Sequence, residues 1–228
     1  MARVDLARRG EIGLAKRART RAAILDAARE CYAAMAPDPL TVDTLMQVAG
    51  MAKGTFYVHF RDLAELETEV GAALVEEIDE KLQPARVAVG DPLTRIATAN
   101  TILLRDLAAS PTRARLAARL AALMPDAGLA VLARLREDLG AAQEAGRLAL
   151  PSSDLAARIV SAICLQAAAD LGFGRIDANA IPDIVRTILR TIGCAPGDAA
   201  ARTDQAARNA DIFALQMAAS SGAQPSGG

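Results

Sequence analysis

The chain has 228 residues, of which 52% are hydrophobic, and a formal net charge of −1 at pH 7. It can therefore bury a sizeable core and suits one small domain plus one larger domain. Ala, Leu and Arg dominate while period-two runs of β-branched residues are missing, which favours an all-α fold. No long uncharged apolar stretch exists and the Arg-rich start lacks an apolar segment, so we expect a cytoplasmic protein without membrane insertion.

Basic charge is concentrated at the N-terminus. Residues 1–61 hold ten Lys and Arg against six Asp and Glu, and all of that excess lies before residue 22, where seven Lys and Arg stand against two Asp and Glu. Residues 1–19 are predicted to form a basic flexible arm that suits contact with phosphates. A solvated leader without a ligand is the alternative interpretation for residues 1–15.

The next segment predicts three short helices. Thr20 is expected to cap the first helix, which Pro37-Asp38-Pro39 ends. Thr41 is expected to cap the second helix, which stops at Gly50 through a left-handed residue. A third helix carrying Phe56 and Phe60 follows directly, so the pattern is typical of a helix-turn-helix.

Residues 20–66 resemble the DNA-binding domain of the TetR-type repressor family. The resemblance rests on Thr20-Arg-Ala-Ala-Ile-Leu-Asp-Ala-Ala, on Ala49-Gly50, on Lys53-Gly-Thr-Phe-Tyr57 and on His59-Phe60. It implies a DNA-binding domain at residues 20–62 and a helical ligand-binding and dimerisation domain at residues 63–218. It further implies a homodimer that binds a double-stranded, palindromic DNA operator and is released by a small-molecule effector.

The resemblance also implies which residues contact DNA. Lys53, Gly54 and Thr55 would begin the recognition helix and meet base edges, with Lys53 donating to guanine. The remaining candidates would contact phosphates, and they are Thr20, Arg21, Thr41, Tyr57, His59 and Arg61. An ordinary exposed histidine is the alternative interpretation for His59.

Three residues depart from the family pattern. Ala52 stands where a serine often caps the recognition helix, which costs about 1 kcal/mol of capping. Leu63 stands where a lysine usually meets phosphate, so Arg61 or the arm is expected to compensate. Asp43 brings a negative charge near the expected DNA backbone, though it also favours the positive end of the second helix.

Seven further helices follow. The fourth is expected to begin at Asp62 and to stop before Pro84, while Asp91-Pro92 and Ser110-Pro111 begin the fifth and sixth. The last four are placed at 126–146, from Ser152 or Ser153 to Gly172, at 179–192 and at 198–217. Residues 219–228 are expected to form a disordered tail.

A ligand pocket is predicted where polar residues interrupt apolar helical faces. Asn100 shares a face of the fifth helix with Leu104, and Gln166 and Asp170 share a face of the eighth with Ile163. Met124 completes the candidate set. Because no aromatic residue lies between positions 61 and 172, the effector is expected to be apolar rather than planar and aromatic. Satisfied core or interface residues are the alternative interpretation.

A two-fold helical interface is predicted on the eighth and ninth helices, whose apolar stripes exceed the needs of one small domain. The candidate interface residues are Ile159, Ala162, Ile184, Val185 and Ile188.

Two other functions compete with the repressor interpretation. An enzyme is disfavoured because the chain has one histidine and no catalytic, metal-binding or cofactor-binding constellation. A helical adaptor that keeps the fold without reading an operator is the second alternative, suggested by Ala52 and Leu63.

Overall fold

A computed structural model describes residues 2–34, 39–123, 129–147 and 152–222, with side chains for 12–34, 39–123, 131–147 and 152–219. These residues form ten α-helices, one 3-10 turn and no strand, so the all-α prediction is confirmed. The helices are α1 (Ala2–Ala34), α2 (Val42–Val48), α3 (Lys53–His59), α4 (Leu63–Ala88), α5 (Pro92–Ala109), α6 (Pro111–Leu123), α7 (Leu129–Glu144), α8 (Ser153–Gly172), α9 (Ile181–Ile192) and α10 (Pro196–Gly222).

Helix α1 is longer than predicted. It begins at Ala2, so residues 2–19 continue the helix instead of forming a separate flexible arm. Thr20 lies inside α1, where its hydroxyl donates to the Lys16 carbonyl oxygen at 3.1 Å. The prediction that Thr20 caps the helix is therefore wrong. A Thr side chain bonded to the preceding turn is compatible with a helix interior, and no proline precedes it in the chain.

The chain divides into two compact units between Ala73 and Leu74. In the first unit, the Tyr32 hydroxyl of α1 donates to the Glu67 carboxylate of α4 at 2.8 Å. Leu66 and Val70 of α4 are fully buried. The first turns of α4 therefore belong to the N-terminal unit, which extends past the boundary predicted at residue 62.

Helix α4 also runs past its predicted end. Asp62 caps it as predicted, since its carboxylate accepts from the Glu65 backbone N–H at 2.9 Å. Pro84, however, lies inside the helix, so the predicted stop is wrong. Proline removes the bond to the carbonyl of Glu80, one turn earlier. Because Glu80 is exposed, water can satisfy that carbonyl and the helix continues.

The starts of α5, α6 and α8 lie where the sequence predicts them. Asp91 and Ser152 accept backbone N–H bonds from Thr94 and Leu155 at 2.8 and 3.1 Å. Ser110 directly precedes Pro111, the first residue of α6. The cap predicted at Asp126 lies outside the described residues, as do residues 223–228 of the predicted tail. Residues 219–222 continue α10.

Helix α5 lies at the centre of the second unit, where it contacts α6, α7, α8, α9 and α10. The apolar core is formed by Leu93, Ile96 and Leu104 of α5 together with the inner faces of α8 and α9. Gly172 allows α8 to approach α6 closely, because an added Cβ would lie 2.8 Å from Arg115 Cγ.

Helix α8 alone among the described helices is long and apolar enough to cross a membrane. However, 44% of its apolar segment is buried in the bundle, so we interpret α8 as a core helix.

Candidate functional site

The turn between α2 and α3 has the predicted geometry. Thr41 caps α2 by accepting the Thr44 N–H at 3.1 Å. Gly50 has φ 66°, in the left-handed region, which lets the chain leave α2 and enter α3 within four residues. Ala52 occupies the N-cap of α3 and provides no side-chain cap, so the first N–H groups of α3 have no protein side-chain partner from that position.

Helix α3 has one buried face and one exposed face. Phe56 and Phe60 are buried and stack with their ring centroids 5.6 Å apart. Lys53 and Gly54 are exposed, and so is Tyr57, whose exposed fraction is 56%. The two phenylalanines therefore hold the helix in the domain while its polar residues face outward.

Gly54 is a glycine that its own domain does not require. A Cβ added there would meet no atom within 4 Å, and its φ does not lie in the left-handed region. Glycine within a helix costs about 1 kcal/mol relative to alanine. Packing within the domain therefore does not account for this glycine, and its bare backbone would permit close approach by another molecule.

Lys53 is paired with an acid on the preceding helix. Its Nζ donates to Asp43 Oδ2 at 2.9 Å, and this hydrogen bond with the carboxylate charge raises the pKa of Lys53 above its usual value. Lys53 is therefore a permanent cation at the start of α3. Asp43 keeps it close to the turn.

Arg21 is occupied within the domain. Its guanidinium donates to the His59 carbonyl oxygen at 3.2 Å, pairs with Glu69 and lies 4.2 Å from the Phe60 ring centroid. These contacts join α1, α3 and α4, and they give Arg21 a structural role. The phosphate contact predicted for it has no support in this geometry.

Arg61 stays available at the surface. It pairs with Glu65 at 3.2 Å but remains largely exposed, and the hydrogen bond from the Arg61 backbone N–H, followed by that from its guanidinium, lowers the pKa of Glu65. The Arg17 guanidinium reaches the Val58 carbonyl oxygen at 3.4 Å, so this turn of α1 lies beside the end of α3. Lys16 and Arg19 are exposed in the same turn. Several cations thus surround the outer face of α3.

In the second unit, Asn100 points inward as predicted and has partners within the protein. Its amide donates to the Ile96 carbonyl oxygen at 2.8 Å, and the Cys164 thiol donates to its Oδ1 at 2.7 Å. Burial raises the pKa of that thiol to about 12, so it stays protonated. Leu104 is fully buried beside Asn100 and Ile163 is partly buried against the same core. Met124 lies outside the described residues.

Gln166 and Asp170 do not face the core, so the interior orientation predicted for them is wrong. Gln166 is exposed and donates to Asp170 at 3.1 Å, and Arg175 donates to the same carboxylate at 2.6 Å. The Arg175 contact lowers the pKa of Asp170. Each directly precedes an apolar residue that α8 buries, so its side chain points to a different side of the helix.

The dimer candidates separate into two groups. Val185 and Ile188 are fully buried inside their own protomer, so their assignment to an interface is wrong. Ile184 and Ile159 are half-buried and Ala162 is exposed. An apolar exposed surface runs along α8, which we name the α8 face; its residues are Leu155, Ile159, Ala162, Leu165, Gln166 and Ala169.

Comparisons with known proteins agree with this architecture. The family described as bacterial regulatory proteins, tetR family, matches residues 24–70. That segment contains the whole helix-turn-helix. No curated protein sequence matches the chain.

Solved structures that share the fold include the following three. A bacterial regulatory protein in the tetR family from Rhodococcus RHA1 is 18% identical, with 77% of this chain and 98% of that chain covered and a TM-score of 0.60. NalD, the secondary repressor of the MexAB-OprM multidrug efflux pump in Pseudomonas aeruginosa, is 19% identical, with 78% and 98% covered and a TM-score of 0.58. FadR from Bacillus subtilis in complex with stearoyl-CoA is 16% identical, with 75% and 98% covered and a TM-score of 0.59.

These identities establish the fold alone, whereas the family match concerns the helix-turn-helix itself. Proteins of this family are DNA-binding regulators rather than enzymes. Residues 24–70 therefore match the DNA-binding segment of the tetR family of bacterial regulatory proteins, and the helical fold of the chain is shared with solved regulators of that family.

Proposed function

We propose that this protein is a cytoplasmic, homodimeric transcriptional repressor that binds a palindromic operator and releases it when a small apolar effector binds. The observation that supports it most is the outer face of α3. On this face Lys53, Gly54 and Tyr57 are exposed, and the packing of the helix does not require glycine at position 54. Such a surface suits insertion into a major groove.

The proposed contacts follow from the chemistry of each group. Lys53 donates to guanine O6 or N7, and Thr55 offers a hydroxyl and a methyl group to a neighbouring base. Thr41, Tyr57, His59 and Arg61 contact phosphates, which position the domain without reading sequence. Exposed Lys16 and Arg19 of α1 add charge at the edge of the same surface.

Replacing Gly54 by Ala separates folding from DNA binding. The free energy of unfolding should stay unchanged or rise by up to about 1 kcal/mol, because alanine favours the helix and meets no neighbour. Operator affinity should nevertheless fall at least about tenfold, because a methyl group at a tight protein–DNA contact displaces the backbone.

Thermal melting and operator titration of Gly54→Ala measure the two quantities. The matched control is Gly140→Ala, another helical glycine whose added Cβ would meet nothing. Unchanged operator affinity in Gly54→Ala would contradict close approach at this residue.

The α8 face supports the homodimer. It leaves Leu155 and Leu165 exposed in the protomer, between small residues that permit close helix packing. A two-fold pairing of this face gives two recognition helices related by the same axis, so the operator would be palindromic. NalD, which shares the fold, is described as a repressor.

The proposed effector site lies where α5 and α8 meet, around Asn100, Leu104 and Ile163. FadR from Bacillus subtilis, which shares the fold, was solved in complex with stearoyl-CoA. A ligand here would exchange hydrogen bonds with the Asn100–Cys164 pair. It releases the operator only if it favours a second conformation, and α4 is the helix with residues in both units.

Asn100→Leu tests that placement. The variant removes both polar contacts of Asn100 and keeps its size, so stability should change by no more than about 1 to 2 kcal/mol. Affinity for the effector should fall about tenfold or more, while operator binding without effector stays intact. Mass spectrometry of the natively purified protein supplies the ligand for titration, and a wild-type response in the variant would place the pocket elsewhere.

The helical adaptor remains the second candidate, favoured by the missing cap at Ala52. Salt distinguishes the two functions. A repressor binds duplex DNA containing the region upstream of its own gene with an affinity that falls steeply as salt rises, because phosphate contacts release counterions. An adaptor shows no such binding.

A further inference from the structure

The Lys53–Asp43 ion pair bridges the starts of two DNA-facing helices. Asp43 lies in the first turn of α2, Lys53 is the first residue of α3, and their charged atoms are 2.9 Å apart. The exposed side-chain fractions are 69% for Asp43 and 54% for Lys53. Ion pairs this exposed contribute little to stability, so the pair adds little to the fold beyond the favourable position of the Asp43 carboxylate in the first turn of α2.

A carboxylate at this place has a definite cost on DNA. Phosphates line both edges of the groove, and Asp43 repels them wherever the protein binds. It also cancels the charge that Lys53 would otherwise offer to any nearby phosphate. Both effects weaken binding to every sequence.

At one kind of base sequence, contacts of Asp43 and Lys53 with the bases offset this loss of binding free energy. The ammonium group of Lys53 has three N–H donors, so it can keep Asp43 and still donate to guanine O6 or N7. The carboxylate can accept from the N4 amino group of a cytosine on the same groove floor. A fixed donor next to a fixed acceptor therefore matches a guanine with a neighbouring cytosine, whereas a site without a base amino group at that position leaves the carboxylate unpaired.

We propose that Asp43 is a specificity-determining residue, which positions Lys53 for guanine and penalises binding wherever the pair meets no matching bases. This inference rests on the proposed function, because it assigns a role in operator choice. It predicts that loss of the carboxylate helps the wrong DNA more than the right DNA.

The test is Asp43→Asn, measured on the selected operator and on a random duplex of equal length at one salt concentration. Affinity for the random duplex should rise about tenfold while operator affinity changes less than about threefold, so the ratio of the two affinities falls. Asp26→Asn is the charge-matched control, since Asp26 is exposed on α1 and takes no part in the Lys53 pair. It should leave the ratio unchanged.

The double variant Lys53→Ala/Asp43→Asn shows whether Asp43 acts through Lys53. Relative to Lys53→Ala alone, it should still raise the affinity for the random duplex more than the affinity for the operator, but by a smaller ratio than Asp43→Asn gives in the wild-type background. Equal shifts already in Asp43→Asn alone would overturn the proposal, because Asp43 would then be only a repelling charge. A wild-type protein that binds all sequences alike would overturn this inference and the proposed function together, so the two failures are distinguishable.

Discussion

Replacing Leu165 by Asp should produce a folded monomer that no longer holds its operator. Leu165 is 39% exposed in the protomer, so a carboxylate there meets water and leaves the bundle intact. In a dimer paired through the α8 face it would be buried without a partner, at a cost of several kcal/mol. Because two half-sites then bind independently, operator affinity should fall about a hundredfold or more.

Ile188→Asp should behave differently, because Ile188 is fully buried where α9 packs against the core. An uncompensated charge there should cost about 3 to 5 kcal/mol and unfold much of the bundle. Analytical ultracentrifugation with thermal melting separates the two outcomes. Leu215→Asp is the control, since Leu215 is 73% exposed on α10. A dimeric Leu165→Asp variant beside a monomeric Leu215→Asp variant would move the interface to α10.

Lys53→Ala should weaken operator binding by about 1 to 3 kcal/mol and random duplex binding by much less. The reason is geometric: Lys53 is the first residue of α3, and the recognition helices of such motifs meet base edges with their N-terminal residues. In the free protein its partner is an exposed Asp43, so its removal should change the free energy of unfolding little.

The control for Lys53→Ala is Tyr57→Phe, which keeps the ring and removes the hydroxyl from the same exposed face. It should weaken operator and random duplex by similar factors, since phosphates carry no sequence information. Titrations on both duplexes at fixed salt give the comparison. Equal losses on both duplexes for Lys53→Ala would remove its base-reading role.

The helix boundaries that sequence predicted well are those controlled by neighbouring residues. Thr41, Asp91 and Ser152 cap helices because a side-chain oxygen accepts an N–H three residues later. Gly50 ends α2 because its φ of 66° is cheap only for glycine. Such signals lie within one turn of chain, and sequence displays them directly.

Features decided by distant neighbours were missed. The apolar stripe of α9 predicted a buried face, but such a pattern does not distinguish burial within the same chain from burial against a second copy of the chain. Val185 and Ile188 are buried by α9's own protomer. Pro84 similarly predicted the end of a helix. The helix continues because Glu80 is exposed, so water can satisfy the carbonyl group that Pro84 leaves without a donor.

The candidate site shows the same division. The exposed positions of Lys53 and Gly54 on α3 follow from local pattern and from the family resemblance. The contacts of Arg21 with His59 and Glu69 join residues 38 and 48 positions apart, and no local signal indicates them. The Asp43–Lys53 pair also depends on the angle between α2 and α3, which only the folded turn provides.

Selection of binding sites from a pool of randomised duplexes tests the central claim most directly. The full-length protein should enrich an inverted repeat whose half-sites contain a guanine, with two protomers bound to each duplex. Protein retained on the pool without any enriched sequence, or not retained at all at low salt, would contradict the account of this protein as an operator-reading homodimer.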